Sequence, residues 1–197
     1  MCLLIETIKI TDGQFQNLAY HNIRFNKARR ELFACVVDVD IATLVDIPAD
    51  AKRGTYKCTV TYNADVIDVK FQAYVIRKIT SLKIVADDTI DYSYKYANRD
   101  SLNELLKRKE ECDEILIVKN NLVTDTSFSN IVFYNGSQWL TPNKPLLNGT
   151  KRQKLLHEGV ITETEINKSA VASFTKACLI NAMLDIGDTV IDCRNIV

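Results

Sequence analysis

The amino-acid sequence predicts an α+β fold, and three patterns near its beginning carry this prediction. Residues Leu18–Phe33 have a helical pattern, because apolar or aromatic side chains recur at three- and four-residue steps. Thr55–Tyr62 and Val66–Ile76 show the alternation and β-branched content of paired strands. Leu3–Ile10 is strand-like, and a turn signal, Asp12-Gly13, follows it. We therefore expect a small α+β domain over residues 1–84.

The rest of the chain, residues 85–197, is predicted to be a second domain that carries Lys95. Lys83–Ser93 is expected to be a crossing between the two domains. A helix is expected to start at Asp100-Ser101, where Ser101 and Glu104 fit a capping box, and another after Gly149-Thr150. The expected strands of this domain are Glu114–Lys119, Asn130–Asn135, Gln138–Leu140, Ala177–Leu184 and Val190–Val197.

Composition narrows the function classes. The chain has 197 residues, 47% of them hydrophobic, and a formal net charge of zero, so it can bury a core but gives no reason to expect nucleic acid or an anionic membrane as partner. It has no uninterrupted apolar run of membrane-spanning length, and its start lacks the basic and apolar regions of a signal peptide. The six cysteines form no metal-binding or redox pair. We expect a cytoplasmic protein without a metal site.

Two residues suggest a specific chemistry. Lys95 lies between Tyr94 and Tyr96, and aromatic neighbours favour the neutral amine that imine formation needs. Asp125 follows a short apolar stretch, where a carboxylate can hold a protonated ring nitrogen and so keep the ring an electron sink. Together they suggest a pyridoxal phosphate enzyme. By spacing alone, Lys95 also fits a surface lysine at a strand end, and Asp125 an ordinary turn residue.

Four further segments have both a functional and a structural interpretation. Arg24 can clamp a phosphate or be a solvated helix arginine. Gly149-Thr150 can offer free backbone N–H groups to an anion or be a simple helix cap. Asn181 can face a ligand or satisfy a turn, and Glu6-Thr7 can face a cleft or solvent.

The order of these segments resembles the class IV aminotransferase family of fold-type IV pyridoxal phosphate enzymes. That family includes branched-chain and D-amino acid aminotransferases and 4-amino-4-deoxychorismate lyase. The similarity covers almost the whole chain. The matching segments are Ile5–Ile10, His21–Phe25, Lys95–Arg99, Val123–Phe133, Thr141-Pro142 and Leu146–Arg152.

The resemblance implies a fold, a cofactor and a role for each candidate. The fold would be a small α+β domain followed by a pseudo-barrel domain, with pyridoxal 5'-phosphate between them and a homodimer as the usual assembly. Lys95 would carry the cofactor covalently and move the substrate proton. Arg24 would hold the phosphate, helped by Gly149-Thr150 and Asn181, and Asp125 would pair with the pyridine nitrogen.

Two further features concern the substrate. Asn98 or Arg99 would lie near the cofactor ring, and the spacing Lys95-x-x-Asn98-Arg99 is most similar to the lyase branch. The chain departs from the family at Asp125, where glutamate is usual, and before Glu6, where members usually have a further strand and loop that shape the substrate pocket. Cofactor binding is therefore a firmer expectation than substrate identity.

Three functions are consistent with this resemblance. The first is a lyase that eliminates pyruvate from 4-amino-4-deoxychorismate and leaves 4-aminobenzoate. The second is an amino acid aminotransferase of branched-chain or D-amino acid type. The third, from another class, is a homologue that binds pyridoxal phosphate without catalysis, for which Asp125 leaves room.

Overall fold

A computed structural model describes residues 2–197 and divides them into two compact units. The first unit extends to Val75 and also contains Tyr94–Asn98. The second unit contains Ile76–Ser93 and Arg99–Val197. Met1, part of the N-terminal segment considered above, lies outside the described residues.

The first unit is a four-stranded antiparallel sheet with one long helix. The strand order is β2-β1-β3-β4. Its elements are β1 (Leu4–Thr11), β2 (Gln14–Phe15), α1 (Leu18–Phe33), β3 (Thr55–Tyr62) and β4 (Val66–Ala73).

Strand β1 decides which side chains of this unit are buried. Its burial alternates along the strand, so Leu4, Ile8 and Ile10 lie in the core together with Glu6. Helix α1 adds Phe25 to this core. The alternation therefore places one carboxylate on an otherwise apolar face.

The segment Tyr94–Asn98 belongs to the first unit because its backbone pairs with the start of β1. The Ile5 N–H donates to the Lys95 carbonyl at 2.9 Å, and the Ala97 N–H donates to the Leu3 carbonyl at 2.8 Å. Lys95 is therefore held by a strand-like pairing rather than by a free loop.

The second unit has two sheets over a common core. The three-stranded sheet has the order β5-β6-β7, and the five-stranded sheet the order β10-β9-β8-β11-β12. Apolar side chains of both sheets, such as Leu116, Val123, Phe133 and Leu179, pack in one cluster. The elements are β5 (Leu82–Ala86), α2 (Asp100–Leu106), β6 (Glu114–Lys119), β7 (Leu122–Thr126), β8 (Asn130–Tyr134), β9 (Trp139–Pro142), α3 (Thr150–His157), β10 (Ile161–Thr164), β11 (Lys176–Ile180) and β12 (Val190–Asp192).

Most of the expected elements are confirmed, and α1, β3 and β6 have the predicted bounds. The crossing predicted at Lys83–Ser93 is wrong, because Leu82–Ala86 pairs in parallel with β6. The capping box is wrong as well, since Arg99 precedes the first turn of α2 and Ser101 lies within the helix.

The last two predicted strands are too long, and β7 and β10 are not among the expected strands. Strand β11 ends at Ile180, because a turn follows in which the Leu184 N–H donates to the Asn181 carbonyl at 3.2 Å. Strand β12 ends at Asp192, whose side chain accepts from the Arg194 N–H and so begins a 3-10 turn.

The compact units divide the chain differently from the predicted boundary at residues 84 and 85. Residues 76–86 join the second unit through β5. Lys95 lies in the first unit, whereas the sequence prediction assigned it to the second domain. None of the helices in residues 2–197 combines the length and apolar character that crossing a bilayer requires.

Candidate active site

In the first unit, the side chains of Arg24 and His21 both contact Glu6. This side chain is fully buried on the core face of β1. The Arg24 guanidinium donates from Nε to Glu6 Oε1 at 2.8 Å and from Nη2 to Oε2 at 2.6 Å. His21, one turn earlier on α1, places Nδ1 2.6 Å from the same Oε2. Arg24 is therefore a fixed, largely buried cation with 13% of its side chain exposed, and the interpretation as a solvated helix arginine is wrong.

The charges of this cluster follow from its contacts. Burial alone raises the pKa of Glu6, but the Arg24 charge and the hydrogen bonds from His21 and Arg24 outweigh it and lower the pKa to about 2. Burial lowers the pKa of His21, against the opposing effect of Glu6, and the positive charges of Arg24 and Lys95 lower it further. At neutral pH, Glu6 is a carboxylate and His21 a neutral imidazole that donates from Nδ1.

Lys95 lies close enough to this cluster for its charge to act on His21. Its side chain is half-buried, and its neighbours Tyr94 and Tyr96 have ring centroids 6.0 Å apart. The Tyr94 hydroxyl donates to Glu31 Oε2 at 2.8 Å, which fixes one of the two rings. Lys95 is thus neither buried in the core nor fully solvated, which suits an amine that must react.

In the second unit, Asp125 is a buried acid near the end of β7, with 5% of its surface exposed. Its Oδ1 accepts from Asn130 Nδ2 at 2.7 Å, and its Oδ2 accepts from the Leu147 N–H at 2.9 Å. Burial raises the pKa of this carboxyl to about 6, although both hydrogen bonds and the Arg152 charge oppose the rise. The interpretation of Asp125 as a turn residue is wrong, because the turn begins after it: Thr126 Oγ1 accepts from the Ser129 N–H at 3.0 Å.

Gly149 and Thr150 begin α3, as predicted. Gly149 precedes the first helical residue, and Thr150 is buried. Arg152, 2% exposed, fixes this helix by donating to the Pro142 carbonyl at 2.8 Å and to Glu163 Oε1 at 2.5 Å. These contacts anchor the first turn of α3, whose free backbone N–H groups can bind an anion.

The remaining candidates have different environments. The Asn181 Oδ1 accepts from the backbone N–H groups of Met183 and Leu184 at 2.8 and 3.0 Å, so the side chain organises a turn. Asn98 is exposed and lies in the first unit. Arg99 donates to the Ser127 carbonyl at 2.6 Å and so contacts the turn that follows Asp125.

The sequence assigned no site role to His21 or Asn130, and for Glu6 it left open a cleft-facing or solvent-facing position, whereas the side chain is buried in the core. Glu6 interrupts the buried face of an otherwise apolar strand, which is the signal that it is buried and therefore paired. His21 lies on the same helix as Arg24, three positions earlier, which places both on one face. For Asn130, an amide at the start of a strand carries no comparable signal.

Comparison with known proteins now decides the family. The model of the amino-transferase class IV family matches residues 70–188, more than half of the chain. The chain belongs to this family. It is an enzyme of the aminotransferase or lyase type, and its α+β fold is fold-type IV, as the resemblance implied.

The chain is also similar to individual known proteins. The chain is 36% identical over 182 residues to an uncharacterized protein of Haemophilus influenzae, covering 91% of this chain and 97% of that one. A crystal structure from Haemophilus somnus, provisionally assigned as a 4-amino-4-deoxychorismate lyase, is 38% identical with a TM-score of 0.87, covering 93% of this chain and 97% of that one. The branched-chain amino acid aminotransferase of Escherichia coli shares the fold at 14% identity and a TM-score of 0.74, covering 99% of this chain and 76% of that one.

Proposed function

We propose that this enzyme uses pyridoxal 5'-phosphate to eliminate pyruvate from 4-amino-4-deoxychorismate, which leaves 4-aminobenzoate. The observation that carries the cofactor assignment is the buried carboxyl of Asp125, because burial raises its pKa to about 6 despite its hydrogen bonds, and a cationic N–H partner would stabilise its ionised form. The similarity to the Haemophilus somnus protein supports the substrate.

The three chemical groups of the cofactor each have a matching group in this chain. An aldehyde requires an amine, and Lys95 is a half-buried one. A phosphate requires a fixed cation, and Arg24 is held by two hydrogen bonds to Glu6. The start of α3 at Gly149-Thr150, with Asn181, would contribute backbone and amide donors.

A protonated pyridine nitrogen requires a carboxylate. Asp125 Oδ1 accepts from Asn130 and Oδ2 from Leu147, and the Leu146 N–H also acts on this carboxyl, whereas a carboxylate has room for about four hydrogen bonds. An additional N–H donor therefore fits, and a positive partner would lower the pKa of Asp125 from its raised value of about 6 and keep it ionised at neutral pH.

When bound, pyridoxal phosphate supplies an electron sink for the negative charge that develops on the substrate α-carbon. Lys95 would remove the α-proton and return a proton later, a role for which an amine near neutral histidine His21 is suited. Asp125 would hold the ring proton, and Arg24 would fix the phosphate end so that the reacting atoms keep their orientation.

Transamination of an amino acid is the second candidate, because the matching family model describes aminotransferases. Both reactions use the same amine, acid and phosphate contacts, so these residues do not separate them. A homologue that binds the cofactor without turnover is the third. For all three we propose a cytoplasmic homodimer with an amino acid or amino-substituted acid as substrate.

A coupled assay separates the three functions. The purified enzyme is given 4-amino-4-deoxychorismate without an amino acceptor, and pyruvate is followed with lactate dehydrogenase. Pyruvate release supports the lyase, turnover only with an added keto acid supports the aminotransferase, and neither with a bound cofactor supports the non-catalytic homologue.

The cofactor itself is tested by absorbance. We expect a band at about 410–430 nm that borohydride removes, as for a lysine-bound pyridoxal cofactor. Lys95→Ala should abolish the band, whereas Lys27→Ala, at an exposed lysine of α1, should retain it. A colourless protein after addition of the cofactor, or a band that survives in Lys95→Ala, would contradict the proposal.

A further inference from the structure

We propose that Asn130 is the positioning residue of Asp125, and that its side-chain amide locks this acid to the loop that starts α3. Its consequence for catalysis rests on the proposed function, but the contacts that carry it do not.

The Asn130 amide has both of its N–H donors committed. Nδ2 donates to Asp125 Oδ1 at 2.7 Å and to the Leu147 carbonyl at 2.8 Å. Because two acceptors face this nitrogen, a flipped amide would turn its oxygen toward both of them. The orientation of the Asn130 side chain is therefore fixed by its surroundings.

Leu147 closes the arrangement into a ring. Its N–H donates to Asp125 Oδ2 at 2.9 Å, while its carbonyl accepts from Asn130. Both carboxylate oxygens are thus tied to one peptide and one amide, which fixes the plane of the Asp125 carboxylate. Asp125 has one methylene fewer than glutamate, so it has less freedom to find its partner and depends more on being aimed.

The other side of the amide explains Gly149. A Cβ on Gly149 would lie 2.1 Å from Asn130 Oδ1, closer than atoms can approach. Gly149 has φ −66° and ψ 146°, a conformation that any residue adopts, so the backbone itself does not require glycine here. The glycine is needed because Asn130 occupies the space. One side chain thus contacts both the acid and the residue that precedes α3.

The electrostatic surroundings of Asp125 agree with this role. Burial favours the protonated acid, and the groups that oppose burial are the Leu147 and Leu146 N–H groups, Asn130 and the Arg152 charge. Among residues 2–197, Asn130 is the one side chain that donates a hydrogen bond to Asp125 and so opposes the effect of burial on its pKa.

The first test measures the Asp125 pKa directly, in the full chain without added cofactor. Carbon-13 NMR of labelled aspartate follows its carboxyl signal, which Asp125→Asn identifies by its loss. Asn130→Ala should raise the pKa of Asp125 by about one pH unit, since it removes one hydrogen bond to the charged form. Asn26→Ala, which removes another buried amide that contacts Val39, should leave the pKa of Asp125 unchanged. An unchanged value in Asn130→Ala would overturn the proposal.

A second variant covers the case in which Asn130→Ala does not fold. Asn130→Asp has nearly the same shape but replaces the donor by a second carboxyl. Two adjacent carboxyls share a proton and titrate in two steps, so the upper step should lie above the wild-type value. Two carboxyls that titrate independently of each other would overturn the proposed contact.

The third test is a double-mutant cycle with Gly149→Ala, measured by thermal unfolding. In the wild-type background the added methyl meets Asn130 Oδ1, and the melting temperature should fall by about 5 °C. In the Asn130→Ala background the space is open, and Gly149→Ala should cost far less. Equal effects in both backgrounds would refute the coupling. The NMR titrations and the thermal-unfolding cycle remain decisive even if the chain never binds pyridoxal phosphate. Failure of this inference can therefore be distinguished from failure of the proposed function.

Discussion

Replacing Glu6 by glutamine should destabilise the protein in a manner that depends on pH. Glu6 is fully buried and neutralises the Arg24 guanidinium, whose side chain is only 13% exposed. Glutamine keeps the size of the side chain but removes its charge, so a buried cation loses its partner. Breaking a buried pair by removing one partner is strongly destabilising.

The magnitude follows from the pKa of Glu6, which folding lowers from 4.5 to about 2. Since a difference of one unit between the folded and unfolded pKa corresponds to about 1.4 kcal/mol, the ionised Glu6 contributes about 3 kcal/mol of stability at pH 7. A lowered pKa gives stability that is present above the unfolded value of 4.5 and is lost as the pH falls towards 2. The loss should reach about 1 kcal/mol at pH 4 and about 2 kcal/mol at pH 3.

The assay is urea unfolding of wild type and Glu6→Gln at pH 7, 4 and 3. We expect a gap in unfolding free energy of about 3 kcal/mol at pH 7 that narrows as the pH falls. Glu104→Gln is the control, because Glu104 forms an exposed pair with Lys107 and should cost less than about 1 kcal/mol at every pH. A gap below that of the control, or one that does not change with pH, would refute the assignment of Glu6 as the ionised partner of Arg24.

Three further outcomes are expected. Burial raises the folded pKa of Asp125 from 3.8 to about 6, so its contribution to stability is lost as the pH rises through 6. Between pH 5 and 7, the unfolding free energy of wild type should therefore fall by about 1 kcal/mol relative to Asp125→Asn. Urea unfolding at both pH values measures this difference, and equal pH slopes in the two proteins would contradict a buried acid at position 125. Asp125→Asn should reduce turnover more than cofactor affinity, because the variant lacks the charge that keeps the ring protonated, and a turnover number equal to that of wild type would remove Asp125 from the mechanism. Arg24→Lys keeps the positive charge but loses the planar two-point geometry toward Glu6. Pyridoxal phosphate should therefore bind this variant about tenfold more weakly in a fluorescence titration. Unchanged affinity would exclude Arg24 as the residue that holds the phosphate.

The sequence alone determined the elements that depend on neighbours along the chain. The bounds of α1 and β3 follow from residue periodicity, because a helix or strand exposes one face to the core at a fixed repeat. The order of the six matching segments, which include Lys95, Asp125 and Gly149-Thr150, indicated the family, since a shared fold preserves the sequence order of its segments.

Tertiary structure decided what depends on residues far apart in the chain. No local pattern shows that Glu6 meets Arg24, that Tyr94–Asn98 pairs with the start of β1, or that Asn130 occupies the space beside Gly149. Short-range spacing specifies which face a side chain occupies. The partner on that face is chosen by packing, and packing brings together residues that the spacing cannot relate.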